Sequence, residues 1–217
     1  MKLIGCENGR LTLLVDLLEF APVGGIYNIE VVAAIQERYG FLSVKPPTAE
    51  QNQIRFERGR APDGKMISQF EIHQQGLIIE SLHTNSVDLF LDDLLAEGVE
   101  QFGLRVPREM KRIYSSNLVT ELEVDLAGLF VKQKALFSSF GTMLKKRYGI
   151  EEPPALSGMT IKPDPEKLTP RLAGLLSEFR IDRRVFVPYS TPRYYSLAPL
   201  PTDDHAALIE RLEELAT

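Results

Sequence analysis

Leu13-Leu14-Val15-Asp16-Leu17 returns 109 positions later as Leu122-Glu123-Val124-Asp125-Leu126. Apolar residues alternate in both stretches up to the aspartate, the pattern of a strand with one buried face. The same offset holds on either side. Met1-Lys2-x-Ile4 recurs as Met110-Lys111-x-Ile113, Asn8 as Asn117, and Arg38-Tyr39-Gly40 as Arg147-Tyr148-Gly149. Ser68-x-Phe70-x-Ile72 recurs as Ser177-x-Phe179-x-Ile181. With Glu57 and Glu166 this makes 15 identities in the first 78 ungapped pairs, where chance gives roughly five. The chain reads as one α+β unit written twice, over residues 1–105 and 106–217, each with the order β-α-β-β-β-α.

Within the first unit a strand is expected over 11–17. Glu7-Asn8-Gly9 predicts a hairpin turn joining it to a strand over 1–6. Asn28 is the expected cap of a helix running to Tyr39, with Val31, Ile35 and Tyr39 inward and Gly40 as its stop. Strands are expected over 53–60, 66–73 and 77–83, separated by the turns Ala61-Pro62-Asp63-Gly64 and Gln74-Gln75-Gly76. Thr84 and Asn85 are candidate caps of a helix to Phe102, with Leu91, Leu94, Leu95, Val99 and Phe102 inward. The second unit predicts strands over 113–124, 156–162, 179–187 and 194–197. Its helices are expected over 126–148 and from a Thr202 cap, the latter with Leu208, Leu212 and Leu215 inward. The expected architecture is a mainly antiparallel sheet carrying helices, with a pseudo-twofold axis between tightly coupled units.

This element order resembles the doubled plan of the saddle-shaped TATA-binding proteins and of gyrase-inhibitor-like effector domains. The second resemblance implies small-molecule binding between the two units.

Composition narrows the class. The chain has 217 residues, 44% of them hydrophobic and 25% charged, which suffices for a core without a metal or disulfide staple. Cys6 is the single cysteine; it excludes an internal disulfide and a thiolate cluster and points to a reducing cytoplasm. Only two apolar residues follow Met1-Lys2 before Gly5, so no signal peptide is expected. The richest apolar run, 11–26, is broken by Asp16 and Glu19, so no membrane span is expected either. The net charge of −5 divides unevenly, with 10 basic and 16 acidic residues in 1–109 against 15 and 14 in 110–217. An acidic chain lacks the footprint of a general nucleic-acid binder.

The two copies differ most after Val187. Five residues separate Ile78 from Thr84, but fourteen separate Val187 from Thr202, and residues 188–201 contain Tyr189, Arg193, Tyr194 and Tyr195. Arg180, Arg183 and Arg184 precede them, where the first copy has Glu71, Gln74 and Gln75. Tyrosine and arginine join large contact area to polar tips, so these seven residues are the candidate binding set. The expected function is a non-enzymatic binding module. It would take a protein partner or a small anionic ligand at the inter-repeat cleft and this insertion, and could form a homo-oligomer. A nucleic-acid-binding sheet is the alternative. A second alternative is an enzyme whose paired strand-end carboxylates, Asp16 and Asp125, share acid–base work. His73, His83 and His205 lack metal-ligand spacing, and Gly24-Gly25 lacks the full nucleotide-loop pattern, so no cofactor or metal is expected. Asp88, Asp92, Asp93, Glu97 and Glu100 read as the wet face of a helix or a docking strip for a basic partner. Lys132, Lys134, Lys145, Lys146 and Arg147 read as a solvated helical face.

Overall fold

A computed structural model describes residues 1–15, 29–47, 53–107, 110–126, 129, 134–149, 151, 157–188 and 190–217. The strands are β1 (Lys2–Leu14), β2 (Ser43–Lys45), β3 (Gln53–Arg60), β4 (Met66–His73), β5 (Gly76–Ser81), β6 (Lys111–Glu121), β7 (Gly158–Ile161), β8 (Phe179–Arg183) and β9 (Arg193–Ala198). The helices are α1 (Ile29–Tyr39), α2 (Thr84–Phe102), α3 (Lys134–Tyr148), the single turn α4 (Pro170–Ala173) and α5 (Thr202–Ala216). All nine strands form one antiparallel sheet in the order β2-β3-β4-β5-β1-β6-β9-β8-β7. The fold is therefore α+β. Among the described residues, no helix is long and apolar enough to cross a membrane.

The expected hairpin at Asn8-Gly9 is absent. β1 runs straight through it as a thirteen-residue strand, with Asn8 opposite Asn117 and Gly9 between Ser116 and Ser81. Register shifts at Leu3/Gly5 and Cys6/Asn8 absorb the irregularity. Glycine is required here for another reason: a Cβ on Gly9 would lie 2.8 Å from the Thr84 amide nitrogen and 2.9 Å from the His83 carbonyl carbon. The start of α2 presses directly on the strand. Gly9→Ala is accordingly expected to cost about 1–3 kcal/mol by overpacking against backbone. Gly5→Ala, with open space around its Cβ position, is the control and should be near neutral. Equal urea midpoints for the two variants would refute this.

The two helices that begin over β1 and β6 cap each other. The Thr84 amide donates to Thr202 Oγ1 at 3.1 Å, and the Thr202 amide donates to Thr84 Oγ1 at 2.8 Å. Asn85 Nδ2 donates to Asp203 Oδ2 at 3.0 Å beside them. Each threonine is expected from sequence to cap its own helix, and each instead satisfies the other's first amide. His83 is the local cap of α2, its Nδ1 accepting from the Asn85 amide at 3.2 Å. Anchoring Thr202 also rotates α5, so that Thr202, His205, Ile209 and Leu212 face inward while Leu215 is exposed. In α2 the inward residues include Val87, Phe90, Leu91, Leu94 and Leu95, and Val99 is exposed.

Two cores lie along the sheet. The first gathers Leu11, Leu13, Ile54, Ile67, Ile79 and Leu91 around an aromatic cluster of Tyr39, Phe41, Phe56, Phe70 and Phe90. α1 buries Val31, Ile35 and Tyr39 as its spacing of four requires. The second core is smaller and comprises Leu118, Leu122, Leu126, Phe179, Ile181, Tyr194, Ala198, Ile209 and Leu212. α3 behaves differently from α1, for Phe140, Met143 and Tyr148 are exposed. The proposed cap Asn28 lies outside the described residues. Glu166 sits in a 3-10 turn, Pro165–Lys167, whereas Glu57 is in β3, so that identity does not mark matching positions.

Candidate functional site: a helix-roofed cavity and an arginine–tyrosine hairpin

The tyrosine-rich segment falls into two parts. β8 stops at Arg183 and β9 starts at Arg193, so Arg193, Tyr194 and Tyr195 belong to the sheet. Tyr194 and Tyr195 are ladder residues opposite Thr120 and Val119. Their alternation decides their roles, because successive side chains of a strand take opposite faces.

Tyr194 faces the core and is only 2% exposed. Its hydroxyl accepts from the Leu126 amide and donates to Asp125 Oδ1, both at 3.1 Å. Arg183 pairs with the same Asp125 carboxylate, and its guanidinium lies 5.4 Å from the Tyr194 ring centroid. These three residues fasten the segment after β6 to the sheet. Tyr195 faces the other way, with the Arg184 guanidinium 5.9 Å from its ring centroid. Burial, and then the charge of Glu7, raises its phenol above the ordinary value.

The other arginines are also engaged. Arg184 pairs with Glu7 at 2.9 Å, Arg180 with Asp182, and Arg193 reaches Glu121 Oε2 at 3.2 Å through Nε and 2.6 Å through Nη2. The Arg193 hydrogen bonds hold the Glu121 carboxyl below its usual range. Carboxylates thus answer Arg180, Arg183, Arg184 and Arg193 one for one, and the hairpin stem carries no surplus positive charge for an anion. At the tip, Val185 and Phe186 project into solvent, with Phe186 at φ 61°. Tyr189 lies outside the described residues.

Other candidates disperse. Asp16 and Gly24-Gly25 lie outside the described residues, and Asp125 is held by Arg183 and Tyr194. His73 Nε2 is 2.8 Å from Glu71 Oε2, and His83 Nε2 is 3.4 Å from Asp203 Oδ1. His205 is wholly buried against Ser116. No group of three or more His, Cys, Asp or Glu could hold a metal ion among the described residues. At the seam between the halves β1 and β6 pair along their lengths with the Thr84–Thr202 contact above them. An open space of about 600 Å³ lies between the halves, lined by Leu14, Gln75 and Gly76 of the first and Arg171, Gly174 and Leu175 of the second.

A smaller, more enclosed apolar cavity lies within the first half. α1 contributes Val31, Ala34 and Ile35, α2 contributes Leu94 and Phe102, and the sheet supplies a floor of Phe70, Ile72 and Leu77. Its volume is about 310 Å³, at the small end of the range for ligand pockets. Arg38 bridges its rim, donating from Nε and Nη2 to the two oxygens of Asp93, each at 3.0 Å, while its Nη1 is 3.0 Å from Glu97 Oε2. The Tyr39 hydroxyl donates to Asp93 Oδ2 at 2.8 Å. The Arg38 hydrogen bonds hold the Asp93 carboxyl below its usual range. Burial, and then Asp93, pushes the Tyr39 phenol above its usual value. Among the described lining residues one cation, Arg38, stands with two carboxylates, Glu37 and Glu97, and Asp93 is joined to the lining through Arg38 and Tyr39.

Sequence spacing marks Val31, Ile35 and Tyr39 as core and Asp93 and Glu97 as a solvated row. Nothing local indicates that the two helices stand apart enough to leave a space. Comparison with protein-family models and with curated proteins finds no match.

Proposed function

We propose that this protein is a non-enzymatic binding module that captures an apolar group with a neutral or cationic attachment in the cavity between α1 and α2. The observation that carries this is the apolar enclosure under an acidic rim, for which ordinary core packing leaves no such space. A protein partner presenting apolar side chains beside lysine or arginine has the matching chemistry. The rim's charge disfavours the small anionic ligand, and the ion-paired hairpin disfavours a nucleic-acid backbone as partner.

Three soluble aromatic probes test the reading: phenethylamine, N-acetyl-phenylalanine methylamide and 3-phenylpropanoate, each titrated into labelled protein and followed by NMR. The amine and the amide are expected to shift signals of Ile35 and Leu94 and the carboxylate to bind least. Ala34→Phe, which fills the space from α1, is expected to abolish those shifts with little change in unfolding midpoint. Binding that ignores probe charge, or that survives Ala34→Phe, would count against the cavity.

The same proposal takes the chain as a copied and fused unit, 1–105 and 106–217, with a pseudo-twofold axis near Asn8 and Asn117. Support comes from the pairing of Asn8 with Asn117 and from the reciprocal Thr84–Thr202 contact. The sheet order adds to it, since β3-β4-β5-β1, with β2 outside it, and β7-β8-β9-β6 run inward from opposite sides. A cytoplasmic setting suits Cys6, a free half-buried thiol whose pKa burial raises.

A further inference from the structure

The repeat offset aligns Val31, Ile35 and Tyr39 of α1 with Phe140, Leu144 and Tyr148 of α3. In α1 that stripe is buried on the sheet. In α3 Phe140 and Tyr148 are exposed, and Met143 beside them is 65% exposed. An amphipathic helix stripe left in water is costly unless something covers it, and a stripe of this kind is the usual anchor set of a helix that docks in a groove. The charge on the two helices has also diverged. α1 carries Glu30, Glu37 and Arg38, whereas α3 carries Lys134, Lys145, Lys146 and Arg147 and no acidic residue.

The chain itself contains a surface of opposite character. The α1–α2 cavity is apolar inside, with Glu37, Glu97 and Arg38 in its lining and Asp93 paired to Arg38, so that carboxylates outnumber the cation. The wider fields agree, with a net charge of −6 over 1–109 and +1 over 110–217. Contact between the first halves of two copies is repulsive, while first half against second half is attractive. We infer that α3 of one molecule docks on the α1–α2 cavity of a second copy, Phe140 and Met143 entering the apolar space and Lys146 and Arg147 meeting the acidic rim, while Lys145 is paired with Glu151. This rests on the cavity being a binding site and names its occupant. Two such junctions can close a reciprocal dimer; a single one leaves an open head-to-tail contact.

Sedimentation velocity over a concentration series, at low and high salt, is the primary measurement. Self-association is expected, weakening as salt rises because part of the attraction is between exposed charges. Phe140→Ser with Met143→Ser is expected to raise the self-association Kd about thirtyfold or more, the size of a lost anchor pair. Both positions are exposed, so circular dichroism should be unchanged. Ala34→Phe removes the receiving cavity and should do the same. The decisive step mixes the two variants. One retains the cavity and the other retains the helix, so together they should form a complex that neither forms alone. A monomeric wild type, or association indifferent to either change, overturns the inference. So does a mixture of the two variants that remains monomeric.

Vesicles of phosphatidylcholine with about a third phosphatidylserine supply a further arm, since a basic amphipathic helix is also the kind that lies on anionic membranes. Recruitment of a monomeric wild type, abolished by the α3 substitutions, would give α3 a lipid surface as its partner and defeat the self-docking. If the aromatic probes occupy the cavity but copies do not associate, only this inference fails. If neither occurs, the cavity reading falls with it.

Discussion

Taking the protein from pH 7 to pH 5 is expected to remove about 2 kcal/mol of unfolding free energy, with the loss from one group reaching about 3 kcal/mol by pH 4. That group is His205, wholly buried and held at a pKa of about 4 by burial. Its surroundings explain the value. Ser116 Oγ donates its proton to the Leu200 carbonyl at 2.8 Å, so the 2.9 Å contact with His205 Nδ1 is made by a proton on the imidazole. Nε2 is then the bare nitrogen, buried without a hydrogen-bond partner among the described residues, with the Phe179 ring edge-on at 6.1 Å. Protonation would place a charge and an unmet donor in apolar surroundings. The unfolded chain takes up that proton near pH 6.5 and the native one only near 4. Stability is therefore complete above 6.5 and declines as pH falls through the interval. Carboxylates such as Asp93 and Glu121, held below their usual range, lose their contributions at lower pH. The stretch from 6.5 to 5 is where the His205 contribution falls. His205→Gln should flatten the urea-derived stability profile there, at some cost in stability at pH 7. An unchanged slope in that variant would assign the effect elsewhere.

Phe70→Ala is expected to be the most damaging single truncation, costing about 3–5 kcal/mol. Phe70 is fully buried, and its ring lies 5.3 Å from both Phe56 and Phe90 and 6.3 Å from Phe41. Those rings come from the segment after α1, from β3 and from α2, so the deletion leaves a void that several elements would have to move to fill. Phe70 also floors the α1–α2 cavity, and its loss should enlarge that space and alter probe binding together with stability. For a chain of this length the unfolding temperature should drop by about 10 °C. The informative comparison is Phe140→Ala, the same chemical deletion on the exposed face of α3, which should stay within about 0.5 kcal/mol. Similar losses at the two sites would contradict the burial assigned to both.

Residue periodicity located most of the elements because each rests on nearest-neighbour rules. β3 and β4 span the runs over which their apolar residues alternate. Gly40 and Gly103 end their helices at φ 61° and 65° because only a residue without a Cβ adopts that conformation cheaply. The stripe Val31, Ile35, Tyr39 was equally legible, since spacing by four puts side chains on one face whatever lies beneath. The candidate site was less so. Arg183, Arg184, Arg193 and Tyr195 were identifiable from the sequence as the stretch where the two similar segments differ most. That Tyr194 is interior could be learned only from its register opposite Thr120.

What the chain determined by itself is its α+β class and most of its strands and helices, because propensity, alternation and turn chemistry act over a few residues; the short β2 and the unbroken β1 were not among them. Tertiary packing decided the rest. It made Gly9 a contact with α2 instead of a turn, and it had Thr84 and Thr202 cap each other across 118 positions. It buried the apolar stripe of α1 and exposed Phe140 and Tyr148 of α3, and it left a space between α1 and α2 beside carboxylates that sequence alone assigns to a wet face. Each of these depends on the distance between segments far apart in the chain, a quantity that local pattern does not encode.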